Sequence, residues 1–226
     1  LYDLSMTYDA VILDNDGVLT AMTDRSVMKR AVTDAFRDLG IVDPDPEDVS
    51  RLVYGVTPEI LSTVAGRYEL DPRALWYRRD MRSSLVQERE IRAGRKPLYE
   101  DTTVLSRIDV PMGIVSSNQD RTVATILNQY DLGGYFQSVY GREMHPDSLA
   151  RKKPDPHYLE LAIAELGATN PLFVGDSESD VQAATAAGVD SVFLRRAHRA
   201  DTELGVVPTY EIKSLTDLPE ILAAAA

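Results

Sequence analysis

Cysteine is absent from the 226 residues. Its absence excludes disulfides and thiolate metal sites, and fits a reducing interior. Lysine is scarce as well, occurring only at Lys29, Lys96, Lys152, Lys153 and Lys213, so arginine supplies most of the 24 basic residues. Set against 36 acidic residues, these leave a net charge of −12. That balance argues against nucleic acid or an anionic membrane as a partner. An acidic surface poor in lysine is what the cytoplasm of a salt-loving organism would select, although an acidic protein from a GC-rich genome would look similar. No apolar run approaches the roughly 20 residues that span a bilayer. Nor does a basic, apolar, small-residue leader open the chain. The chain begins at Leu1, and Met6 is a candidate natural start that would make residues 1–5 an upstream remnant or a tag. The expectation is a cytoplasmic protein, monomeric or weakly dimeric.

What is present is a hydrophobic fraction of 44%, enough for one large α/β domain or a core with a smaller insert. Five short apolar runs read as buried strands, at 10–13, 112–115, 138–140, 172–174 and 191–194. Helical periodicity marks residues 121–130, 156–166 and 180–187 between or after the later ones. Near-continuous apolar strands alternating with helices predict a Rossmann-like parallel sheet covered by helices on both faces. Such sheets bind ligands at the carboxyl ends of their strands. From about residue 23 to residue 95 only helical patterns occur, several opened by proline (Pro46, Pro58, Pro72). The reading is an α/β core of residues 1–22 and 96–226 with an inserted all-helical cap of residues 23–95. The mouth of this cap faces the working edge of the sheet, as a water-excluding lid would.

Asp14-Asn15-Asp16-Gly17 follows the first strand directly. Beyond a strand end side chains no longer alternate strictly, so both carboxylates can enter one small space. There they raise each other's pKa unless a cation neutralises them, and Mg²⁺ prefers such oxygen ligands. An Asx-rich turn explains the tetrapeptide alone about equally well. A calcium loop fits less well, because the glycine follows too soon for an EF-hand.

Three further clusters fall at later strand ends or before a helix. Ser116-Ser117-Asn118 combines a hydroxyl with backbone donors at a strand-to-helix turn, although N-capping explains it equally well. Lys152-Lys153-Pro154-Asp155-Pro156 offers a cation in a fixed loop; in isolation a solvated basic turn is the better reading. Gly175-Asp176 and, four residues on, Asp180 supply further acids, the last in a first helical turn where acids are commonplace. Together the four clusters give two acids, a hydroxyl, a cation and further acids on successive strand ends. That set suits phosphoryl transfer to a carboxylate.

In this order the motifs resemble the haloacid dehalogenase-like hydrolase superfamily, in its phosphatase branch with a helical cap (phosphoglycolate phosphatase and β-phosphoglucomutase-like enzymes), over essentially the whole chain. The resemblance implies Asp14 as nucleophile and Asp16 as acid/base, with Ser116, Ser117 and Asn118 as phosphate ligands. It implies Lys153 as the phosphate-holding cation, with Lys152 its solvent-facing neighbour. Mg²⁺ is expected on Asp14, Asp16 (through its carbonyl) and Asp176, supported by Asp180. Asp16 argues against carbon–halogen chemistry, because the superfamily's dehalogenases lack that acid. A Schiff-base phosphonatase is not supported either, since Lys29, near the start of the cap, is its only interior lysine. Gly175 stands where β-phosphoglucomutases usually carry glutamate, which favours hydrolysis over mutase chemistry.

The expected substrate is a small phosphorylated metabolite. Tyr54, Gly55 and Thr57 resemble the specificity loop of such caps, although Tyr54 packing between cap helices is about as good a reading. Arg78, Arg79 and Arg82 read mostly as a solvated helix face, and His145, His157 and His198, without metal spacing, as surface residues. A β-phosphoglucomutase-like transferase and a receiver-like phospho-switch are the alternatives. The cap and Asp16 speak against the switch.

Overall fold

The computed structural model describes residues 8–224; the candidate start at Met6 and residues 1–5 lie outside the described residues. Among the described residues six strands form one parallel sheet: β1 (Ala10–Leu13), β2 (Met112–Gln119), β3 (Ser138–Arg142), β4 (Pro171–Gly175), β5 (Asp190–Leu194) and β6 (Tyr210–Ile212). Their order is β3-β2-β1-β4-β5-β6, so β1 is central. Val11 pairs with Met112 on one side and Leu172 on the other.

Strand alternation divides the core into two layers. Val11 and Leu13 pack with Val123 and Leu127 of α5 (Asp120–Gln129) and with Leu218 of α8 (Leu218–Ala224). Ile12 points to the other face, against Tyr158, Leu159 and Ala162 of α6 (His157–Leu166) and Ala184 of α7 (Glu178–Ala187). All four residues of β1 are fully buried, each large one stabilising the fold by about 1.5–3 kcal/mol. Helices on both faces explain why the strands read as unbroken apolar runs.

Between β1 and β2 the chain makes four helices, α1 (Arg25–Asp38), α2 (Pro46–Arg51), α3 (Pro58–Arg67) and α4 (Pro72–Arg92). Each opens on a side-chain cap: Asp24, Asp45, Thr57 and Asp71 accept from backbone N–H groups of the first turn. Proline stands at the first helical position of the last three, where no N–H is missed. These helices enclose their own core, in which Val32, Phe36, Leu52, Leu61, Leu75 and Trp76 are buried together.

Three expectations change in detail. The helix opened by Pro46, which the sequence pattern carries to Tyr54, stops at Arg51, so Val53 and Tyr54 belong to the following loop. Strand β2 runs to Gln119 rather than ending at residue 115, with a register break between Val115 and Gln119. Ser116-Ser117-Asn118 therefore sits in a bulged strand end, a place where side chains are re-aimed. The sixth strand, β6, was not expected: it has three residues, of which only Ile212 is buried.

Candidate active site

Asp14 leaves the end of β1 with its N–H on the Val174 carbonyl of β4 at 2.8 Å. Its Oδ1 accepts from Asn15 N–H at 2.7 Å and lies 2.9 Å from Lys153 Nζ. That ammonium is also 2.6 Å from Asp180 Oδ1 and donates to the Val115 carbonyl at 3.1 Å. Asp180 Oδ2 is held by Ser177, through its N–H and its hydroxyl. Asp14, Asp176 and Asp180 each offer an oxygen within 4.8 Å of the others, and all are buried.

Asp14 and Asp180 share a single ammonium, Lys153, which leaves negative charge uncompensated. Burial first, then Asp180 and Asp176, raise the Asp14 pKa to about 8 against the pull of Lys153. Lys153 is pushed upward, because its attraction to Asp14 and Asp180 outweighs its burial. Burial also works against the Asp176 charge, but His198 and Arg199 outweigh it and hold that carboxyl below its usual value. His198 Nε2 lies 2.8 Å and Arg199 Nε 3.0 Å from Asp176 Oδ2. His198 is at the surface, as expected, but it also contacts the acid cluster. The donor set, all carboxylate oxygens, fits a hard divalent cation such as Mg²⁺.

Asp16 stands apart from this triad. Lys96, fully buried, forms an ion pair with its Oδ1 and donates to the Ala21 carbonyl at 2.8 Å. Asn118 Nδ2 donates to Asp16 Oδ2 at 2.7 Å. Asn118 also exchanges amide hydrogen bonds with Gln87 of α4, at 2.8 and 3.0 Å. Its side chain is therefore turned to Asp16 and the helical insertion. Ser116 is buried and its Oγ accepts from Asn118 N–H at 3.1 Å. The Ser117 carbonyl accepts from Arg142 Nε at 3.3 Å.

A cavity of about 650 Å³ joins these groups: Asp14, Asp16, Ser116, Ser117, Asn118, Lys153 and Asp176 line it from the sheet side, Tyr54, Gly55 and Thr57 from the insertion. Tyr54 is 42% exposed and its hydroxyl donates to the Thr23 carbonyl at 3.2 Å, so it does not pack between helices. Gly55 has φ +68°, a left-handed turn suited to glycine. The Thr57 hydroxyl caps α3.

The arginines divide. Arg78 is exposed and Arg82 pairs with Asp38 at the surface. Arg79 is buried, donating to the Leu52 and Val53 carbonyls and to Asp80. Lys152 departs from expectation too: it is half-buried and lines the cavity instead of facing solvent. Arg196, just past β5, holds the loop after Asp16 through the Gly17 and Val18 carbonyls, at 3.3 and 2.7 Å. It pairs with Asp101 and stacks on Tyr99. No local pattern marks Lys96 or Arg196, whose partners lie 75–80 and 95–179 residues away. His198 carried one signal, its place beyond the end of β5.

Two glycines are dictated by the acids. A Cβ on Gly17, at φ +81°, would meet Asp176 Oδ2 at 2.4 Å, and one on Gly175 would meet Asp180 Cβ at 2.2 Å. A glutamate at residue 175 would require Asp180 to shift. Gly17→Ala is expected to lower stability by about 2 kcal/mol or more, adding left-handed strain to the clash. Urea unfolding that matches the wild type would show that the loop relaxes instead.

The sequence model of the haloacid dehalogenase-like hydrolases matches residues 11–194. The chain belongs to that family. Among curated relatives of this hydrolase are the phosphoglycolate phosphatases of Pseudomonas savastanoi pv. phaseolicola, 40% identical, and of Pseudomonas fluorescens Pf-5, 41% identical, each over 92 residues. The matched stretch is 40% of this chain and 32% of either relative, so the chain spans only about a third of their length. Among solved structures, CbbY from Rhodobacter sphaeroides, in complex with phosphate, superposes with a TM-score of 0.69 at 18% identity, covering 93% of this chain and 96% of that one. The HAD-hydrolase YfnB from Bacillus subtilis, bound to magnesium, gives 0.61 at 17% identity, covering 96% and 99%. At these identities the likeness concerns the fold. Among the described residues no helix is long and apolar enough to cross a membrane.

Proposed function

We propose that this hydrolase is a Mg²⁺-dependent phosphomonoesterase of the phosphoglycolate phosphatase type, working in the cytoplasm through an aspartyl-phosphate intermediate on a small phosphorylated metabolite. The observation that carries the reading is Asp14 itself: a carboxylate at a strand end, touched by Lys153, beside Asp176 and Asp180, and opening on the cavity that Ser116 also lines. Residues 23–95 act as the cap and residues 1–22 with 96–226 as the core.

In the first half-reaction an Asp14 oxygen attacks phosphorus and the bond from phosphorus to the alcohol oxygen breaks. Asp16, acting as the acid, gives a proton to that oxygen. In the second, Asp16 takes a proton from water, the water oxygen attacks phosphorus, and the acyl–phosphate bond breaks to restore Asp14. Lys153 and the Ser116 hydroxyl hold the phosphoryl oxygens, with Ser117 beside them. Lys96 and Asn118 keep Asp16 aimed into the cavity. The oxygens of Asp14 and Asp176, with the Asp16 carbonyl and support from Asp180, would hold Mg²⁺. When bound, that ion neutralises the acid cluster and the charge on the phosphoryl group.

The test is phosphate release across a panel of small phosphate esters with Mg²⁺, at low and high salt. Turnover is expected with at least one short ester and is expected to vanish in excess chelator and return with added Mg²⁺. Release that ignores the chelator would sink the metal assignment. Glycine at residue 175, where β-phosphoglucomutases usually carry glutamate, favours hydrolysis over a mutase, so glucose 1-phosphate is expected to give free phosphate or nothing, and no glucose 6-phosphate.

A further inference from the structure

Besides the acid cluster, the same cavity carries an excess of positive charge that phosphoryl transfer does not use. Lys152 from the loop before α6, Arg142 at the end of β3 and Arg79 of α4 all line it. One carboxylate, Asp80 of α4, pairs with both arginines. Its Oδ1 takes Arg79 Nη1 at 2.8 Å and Arg142 Nη2 at 2.9 Å; its Oδ2 takes Arg142 Nη1 at 2.8 Å. Gln119 Nε2 adds a fourth donor, at 2.9 Å on Oδ1. Asp80 is fully buried and saturated. Three cations against one anion leave two positive charges uncompensated.

Lys152 is where that excess is accessible. The two guanidiniums spend their donors on Asp80 and on carbonyls: Leu52 and Val53 for Arg79, Ser117 and Glu143 for Arg142. Among the described residues no carboxylate and no hydrogen-bond acceptor partners the Lys152 ammonium. Its pKa is lowered to about 8, by burial first and then by Arg142 and Arg79. A half-buried cation without a counterion, facing a cavity, is costly unless something fills the role of anion. The adjacent residue, Lys153, is the one on Asp14. A short molecule with its phosphoryl group at Asp14 therefore has its far end within this basic wall.

Resting on the phosphatase reading, we infer that Lys152, backed by Arg142 and Arg79, is a specificity-determining residue that binds a second oxyanion, carboxylate or phosphoryl, on the leaving group of a short phosphate ester. The two ends of the cavity are then complementary to one ligand. The acid end takes a divalent cation with the reacting phosphoryl group, and the basic end takes the anion that leaves. Esters with an uncharged alcohol lose the second contact and leave the ammonium unpaired, which is how a polar pocket rejects the wrong substrate.

The experiment compares three esters of similar length: 2-phosphoglycolate, ethylene glycol bisphosphate and uncharged-ended 2-hydroxyethyl phosphate. Wild type, Lys152→Met and Lys152→Arg are assayed with each, and the readout is the ratio of kcat/KM for each dianionic ester to that for hydroxyethyl phosphate. Lys152→Met is expected to lower that ratio at least tenfold, chiefly through KM, and Lys152→Arg to restore most of it. The ester showing the larger fall tells carboxylate from phosphoryl. A ratio unchanged in Lys152→Met overturns the inference even if all three esters are hydrolysed, and leaves the phosphatase reading intact. A second readout needs no turnover. Trp76 is the sole tryptophan, and its ring lies 4.7 Å from the Arg142 guanidinium and 5.0 Å from that of Arg79. With chelator present, 2-phosphoglycolate is expected to change its fluorescence saturably in wild type and at least tenfold more weakly in folded Lys152→Met. That titration without hydrolysis of any ester would remove the phosphatase reading and keep the anion site; equal titration of both proteins would remove the anion site.

Discussion

Asp14→Asn is expected to lower kcat on the order of 10⁴-fold or more, because a group acting as the nucleophile has no substitute in the cavity. The substitution keeps shape and removes the anion that attacks in the proposed mechanism. It also removes a charge that folding places in an unfavourable setting. The Asp14 pKa is raised to about 8, first by burial, against about 3.9 for an unfolded aspartate. A carboxyl whose folded pKa is raised holds its proton more tightly in the folded state. Its contribution to stability is full below about pH 4 and is lost as pH rises toward about 8. Metal-free wild type should therefore lose melting temperature across that interval, and Asp14→Asn should lose less. Circular dichroism melts in chelator, with phosphate release in Mg²⁺, check both halves. A folded Asp14→Asn protein with near-wild-type turnover would end the aspartyl-phosphate mechanism.

How far the sequence speaks depends on whether a residue's partners are close in the chain. β1 and Asp14 are legible because four fully buried residues run straight into the acid. The insertion helices are legible from their caps and prolines, each a local device. Ser116 lies in the end of β2, Lys153 in the loop before α6, Asp176 just past β4 and Asp180 in the first turn of α7, so the topology of a parallel sheet brings them together once the strands are placed. Lys96 and Arg196 had no such route. Lys96 reaches Asp16 across 80 residues and Arg196 reaches Val18 across 178, and no periodicity encodes such pairs. Lys152 reads as solvent-facing because two adjacent lysines in a turn usually are; here both line the cavity that Tyr54, Arg79 and Gln87 of the insertion also line. β6 escaped because three residues with one buried side chain make an edge strand too short for a pattern.

Arg142→Met is expected to destabilise the protein by about 3–5 kcal/mol, the usual cost of removing one partner of a buried ion pair. Arg142 and Asp80 are both within the buried set, and their forked contact joins β3 of the sheet to α4 of the insertion. Burial alone would push the Asp80 carboxyl up, but Arg142 and Arg79, with Gln119, together hold it below its usual value. A depressed carboxyl contributes stability above the unfolded pKa of about 3.9 that disappears as acid titrates it, so this contribution is lost only below about pH 4. Arg142→Met strands part of that charge while Arg79 remains. Asp80→Leu is the harsher change, because it leaves two guanidiniums stacked on Trp76 with no carboxylate between them. The double variant Asp80→Leu/Arg142→Met should recover part of the sum of the single losses, since an apolar replacement of a buried pair is often tolerated. Urea unfolding of the four proteins gives the coupling directly. A loss below about 1 kcal/mol in Arg142→Met, the range of an exposed pair, would mean that the insertion is held to the sheet by its apolar contacts and that Asp80 serves only to order the basic wall of the cavity.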